Sequence, residues 1–185
     1  MLAETIREVA DGRFYASGID ATSMADIARA VGVSLRRLRS LYPSKEAIVV
    51  AYLDFRHEAD VRILERLEGA LTDARAILHG ALDGIISDLV SPGFRGCPFI
   101  NASAEAGNQF VEVRRRVHEH RDWYAGAIMR LLWDAGHPRP ADAADDLMLA
   151  RDGGMGSIHG GNLVAAVGAM KRVIQRVTDE IPELA

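Results

Sequence analysis

The sequence contains one cysteine, Cys97, so no disulfide can close within the chain and a thiolate-based metal cluster has no ligand set. It has no apolar run near the roughly 18 residues needed to span a bilayer. The N-terminal stretch MLAETIREVADGRF mixes acids and bases and has no apolar signal core, which reads as a mature, cytoplasmic chain. Alternating β-branched runs are almost absent, which argues against a sheet. No Gly-x-Ser-x-Gly elbow, phosphate-binding loop or dinucleotide fingerprint occurs, so there is no case for catalysis and none for a cofactor.

What is present is helical spacing. Of 185 residues, 49% are apolar and 26% charged, a globular composition with enough chain to bury a core. Apolar residues recur every three or four positions in nine segments. These run over about 3–17 (Ile6, Ala10, Phe14), from Ser23 to Gly32 (Met24, Ile27, Ala28, Val31) and over 34–42 (Leu35, Leu38, Leu41, Tyr42). A long helix follows over about 44–71 (Ile48, Tyr52, Phe55, Ala59, Ile63, Leu67), then segments at 74–90, from Pro98, 109–135, 141–159 and 162–181. Ser23 with Asp26 is a capping-box pattern. The expected fold is all-α: a three-helix N-terminal domain of residues 1–46, then a helical bundle of residues 47–185.

Charge is the second signal. The chain carries 26 Asp+Glu against 22 Lys+Arg, yet Arg29, Arg36, Arg37, Arg39 and Lys45 fall in a span with no acid at all. On a helical wheel, Leu35, Leu38, Leu41 and Tyr42 gather on one side of the third helix. Arg36, Arg37 and Ser40 gather on the other, with Arg39 on the flank. So short a helix cannot stand alone in water; its apolar face must dock and leave the arginines outward. A solvated basic face is the plain alternative. The Gly-bounded turn and the capped helix before it favour a helix-turn-helix, whose second helix enters the major groove of double-stranded DNA. Thr22, Ser23, Ser34, Leu35, Arg36, Arg37, Arg39, Ser40, Tyr42 and Lys45 are the expected DNA-facing residues, the serines through helix N-termini.

The stretch GIDATSMADIARAVGVSLRRLRSLYPSKEAIVVA resembles the N-terminal domain of the tetracycline-repressor (TetR-like) transcriptional regulators. The shared pattern is a Gly before the Thr-Ser cap, Ile-Ala, Gly-Val-Ser, an aromatic closing the third helix and Ser-Lys-Glu opening the fourth. RGCPFINASAEAG looks like a segment from one branch of the same regulators. The chain departs where relatives usually carry a phosphate-contacting Tyr (here Arg39) and a His two residues on (here Leu41). The resemblance implies a homodimer released from a palindromic operator by a small apolar or amphipathic effector. It also implies an effector pocket in the bundle; Phe99, Asn101, Glu105, Val117, His118, Arg121, Tyr124 and Met129 are the expected wall.

Leu163, Val167, Met170, Ile174, Val177 and Ile181 follow a 4-3 seam spacing, and the helix before them is rich in glycine. The expected dimer interface therefore comprises Leu147, Gly154, Ile158, Leu163, Val167, Met170, Ile174 and Val177. Cys97 precedes Pro98 at a helix start, a position for a redox-sensing thiol or for a small buried filler. His118 and His120 lie at i, i+2 and point apart, which argues against a metal site. A helical-bundle binding protein or enzyme without DNA recognition is the alternative reading.

Overall fold

The computed structural model describes residues 1–107, 109–157 and 160–182, and among these it holds nine α-helices and no strand. They are α1 (Leu2–Ser17), α2 (Met24–Val31), α3 (Leu35–Leu41), α4 (Lys45–Ala70), α5 (Ala74–Val90), α6 (Pro98–Glu105), α7 (Val111–Asp134), α8 (Pro140–Gly156) and α9 (Leu163–Asp179). No described helix is long and apolar enough to cross a membrane. The chain divides into two compact units.

The first unit comprises Met1–Val61 and Pro98–His120. The apolar stripe of α1 is buried at Ile6, Ala10 and Phe14, and Phe14 meets Tyr52 of α4 at 5.6 Å between ring centroids. Gly32 ends α2 in the left-handed conformation (φ 77°), which only glycine adopts without strain, and so turns the chain sharply into α3. Leu38 is fully buried and fastens α3, but Leu41 is 39% exposed. The core side of α3 is thus narrower than its wheel suggests, because seven residues make only two turns and the last lies beyond the contact. The α1–α2 turn is held from a distance in sequence: Ile19 and Asp20 donate their backbone N–H groups to Glu105 Oε2 of α6 at 2.6 and 3.1 Å.

The second unit comprises Arg62–Cys97 and Arg121–Ala185. Here α5, α8 and α9 pack on one another. Leu78, Leu82, Ile85 and Leu89 of α5 and Leu147 and Met155 of α8 form the core with Met170 and Val177 of α9. A Cβ on Gly154 would touch Leu89 at 3.4 Å, so this glycine permits the close approach of α5 and α8. One expectation fails here. Ile63, placed on the apolar stripe of α4, is exposed.

Candidate nucleic-acid interface and effector region

The basic strip is built on two capped helix starts. Ser23 and Asp26 form a reciprocal capping box: Asp26 N–H donates to Ser23 Oγ (3.2 Å) and Ser23 N–H to Asp26 Oδ2 (3.1 Å). The hydrogen bonds from Ser23 hold the Asp26 carboxyl below its ordinary value, so the cap is ionised at neutral pH. Ser34 Oγ accepts from Arg37 N–H at 3.1 Å and fixes the start of α3. With Leu38 buried beneath, Arg36, Arg37, Arg39 and Ser40 are all exposed on one rigid helix. Ser40 Oγ donates to the Arg37 carbonyl (2.7 Å), while Leu35, Tyr42 and Lys45 are half-buried, Lys45 Nζ donating to the Asp20 carbonyl at 3.3 Å.

Thr22 requires correction. Expected to face DNA, it is buried, and its hydroxyl donates to the Gly18 carbonyl at 2.9 Å. A hydroxyl one residue before a cap can serve the turn instead of the ligand, and sequence alone does not separate the two. Sequence reasoning also missed Glu105 as a brace for this turn, since its partners lie 86 and 85 residues away. Losing a charged acceptor shared by two N–H groups costs about 1.5–3 kcal/mol. Glu105→Ala should therefore lower the thermal midpoint by several degrees with the helical content unchanged. A wild-type melting curve would show that the brace contributes nothing.

Residues 6–52 match the family described as "Bacterial regulatory proteins, tetR family". A TetR-family transcriptional regulator from Streptomyces coelicolor is 25% identical, with a TM-score of 0.88 over 98% of this chain and 96% of that one. This is a TetR-like DNA-binding transcriptional regulator. A TetR transcriptional regulator from Chloroflexus aurantiacus is also 25% identical, with a TM-score of 0.68 over 97% of this chain and 93% of that one. A protein from Saccharomonospora viridis described as a transcriptional regulator, in complex with choline, is 17% identical, with a TM-score of 0.79 over 98% of each chain. Among curated proteins there is no match.

In this TetR-like regulator the expected effector residues fall into both units. In the first unit, Phe99 and Val117 are buried, Asn101 is half-buried, Glu105 is committed to the α1–α2 turn and His118 is exposed. In the second, Arg121 pairs with Asp152 at 2.5 Å, Tyr124 is half-buried beneath the Arg151 guanidinium, and Met129 is exposed. His118 and Met129 therefore do not line an enclosed space: each lies on the outer face of α7, whose full-length apolar pattern hides which turns are covered.

His120, not His118, is the buried histidine of the pair. It is 2% exposed, stacks on Phe99 at 3.4 Å between centroids, and its Nδ1 lies 3.2 Å from Nδ1 of His57 on α4. Asp60 Oδ2 is 3.9 Å from its Nε2. Burial, and then the nearby Arg116 guanidinium, hold the His57 pKa below its ordinary 6.5, against the opposing pull of Asp54, Glu58 and Glu119. The unfolded chain therefore takes up this proton first as pH falls. The stability tied to neutral His57 is complete above pH 6.5 and is lost as pH drops from there towards the native value. The melting temperature should fall as the pH drops below about 6.5, and His57→Gln should flatten that slope. An unchanged slope in the variant would remove His57 as its source.

The expected dimer face also requires correction. Met170 and Val177 are buried within the chain's own second unit, as is Leu147, and Gly154 packs on Leu89. Leu163, Val167 and Ile174 are half-buried; Ile158 lies outside the described residues. Among the described residues of α8 and α9, the large apolar side chains left exposed are Leu149 (77%) and Val164 (86%), and of the two only Leu149 lines the space between the helices. Between these helices runs an open groove of about 580 Å³, lined by small residues including Ala150, Gly153, Ala165 and Ala169. Arg176 spans it to Asp146 at 2.9 Å.

Proposed function

We propose that this protein is a ligand-responsive repressor that binds a palindromic operator as a homodimer and is released by a small-molecule effector. The observation that carries the reading is the outward arginine face of α3, fixed by the Ser34 cap and the buried Leu38. Such a helix has the size to enter the major groove, where arginine pairs bidentately with guanine. Arg36 and Arg37 read bases, Arg39 and Lys45 hold phosphate, and the two capped helix starts sit against the backbone. Residues 1–46 act as the DNA-binding domain, and 47–185 as the effector-binding and dimerisation domain. As a cytoplasmic regulator it needs no catalytic group.

Dimerisation is proposed through the groove face of α8 and α9. Glycine and alanine along it let two helices of a second copy approach closely, and Leu149 and Val173 supply apolar area for the contact. An effector acts by binding more tightly to a spacing of the two DNA-binding domains that does not fit the operator. The test is selection of genomic fragments by the purified protein, followed by footprinting. A palindrome with half-sites about one helical turn or a multiple apart is the expected result. Failure to enrich any sequence over total DNA would leave the helical-bundle binding protein as the better reading.

A further inference from the structure

Arg151 of α8 is 8% exposed, which is unusual for a permanent cation. Its Nη1 lies 3.2 Å from Asp152 Oδ1, but the other oxygen of that carboxylate is taken by Arg121 Nη1 at 2.5 Å. Two guanidiniums therefore share one carboxylate. The Arg151 guanidinium sits 4.3 Å above the Tyr124 ring, and its Nη2 reaches Cys97 Sγ at 3.8 Å, a weak acceptor. Among the described residues its buried Nε has no acceptor at all. A guanidinium does not deprotonate at any ordinary pH, so Arg151 remains charged despite its burial. The cluster is short of one negative charge and one hydrogen-bond acceptor. Arg121, with 41% of its side chain exposed, is its open side.

We propose that Arg151 and Arg121 are the anion-binding end of the effector site, and that the effector is a small monocarboxylate on an apolar or aromatic body. This rests on the reading of the protein as an effector-released repressor. A carboxylate supplies both missing elements, since its two oxygens match the guanidinium fork. A single negative charge balances the cluster, whereas a doubly charged phosphate would overshoot it and lose more hydration on burial. The Trp123 and Tyr124 rings beside the cluster suit an apolar body.

Benzoate and octanoate should bind saturably, read by calorimetry and by fluorescence of Trp123, whose ring lies 5.9 Å from that of Tyr124. Benzamide and octanamide, equal in shape but uncharged, should bind at least roughly tenfold more weakly. Arg151→Met, which keeps the volume and removes the buried charge, should fold and lose that preference; Arg121→Gln should weaken it. Cys97→Ser should retain it. Equal binding of acid and amide, no saturable binding by either acid, or wild-type preference in Arg151→Met would overturn the proposal. So would ultraviolet thiolate absorbance at neutral pH that Cys97→Ser abolishes, because the chain's own thiolate would then be the counter-ion. Operator titrations run alongside separate the two readings. Specific DNA binding without carboxylate binding sinks only this proposal. Carboxylate binding without specific DNA binding supports this anion site and sinks the repressor reading.

Discussion

Replacing Arg36 and Arg37 with alanine should abolish operator preference while leaving the protein folded, because both side chains are exposed and Leu38, not they, fastens α3. Each lost bidentate base contact costs about 1–3 kcal/mol. In a two-fold complex each substitution occurs twice, so one variant loses about 2–6 kcal/mol and relaxes the same position in both half-sites. Arg39→Ala and Lys45→Ala should behave differently. A phosphate contact supports any duplex, so specific and non-specific affinity fall together, and the log–log salt slope decreases by about two per dimer. Anisotropy titrations against operator and scrambled DNA at several salt concentrations distinguish the two patterns. If all four variants bind as wild type, the strip is only a solvated basic face.

The second large effect concerns assembly. Leu149→Asp with Ala169→Asp should give folded monomers, since both positions are exposed in the protomer, both line the groove, and the substitutions disturb nothing inside it. Across the proposed interface each carboxylate would be buried without a partner, at several kcal/mol per site, so the dimer dissociation constant should rise by about three orders of magnitude. Operator affinity should collapse with it, because half-sites bound singly lose the gain from linkage. Light scattering with circular dichroism checks both parts. Met170→Asp provides the contrast: that side chain is 1% exposed within the protomer, so the variant should unfold rather than dissociate. A Leu149/Ala169 variant that remains dimeric would place the interface elsewhere.

The fold and the basic helix were legible because they are written in local chemistry. The Ser23–Asp26 box, the Ser34 cap, the left-handed Gly32 and the three-to-four spacing of Ile6, Ala10 and Phe14 each act within a few residues. Reading them requires no knowledge of what lies opposite. The same locality set the limits. On α9 the seam through Met170 and Val177 has the right period for a dimer, and it is real, but it packs on α5 and α8 of its own chain. The open groove follows the adjacent stripe through Ala165, Ala169 and Val173. Both stripes are apolar, and periodicity names a buried face without naming what buries it.

Sequence by itself determined the helices, their caps and the placing of five bases on an acid-free span, because backbone hydrogen bonding and side-chain period are fixed by near neighbours. Tertiary structure alone decided that Thr22 turns inward, that Glu105 braces a turn 85 residues away, and that His120 rather than His118 is enclosed. It alone joined Cys97, Arg121, Tyr124, Arg151 and Asp152 into one charged cluster. These contacts link segments that only folding brings within hydrogen-bond reach, where burial makes charge and polarity far more consequential than on the open chain.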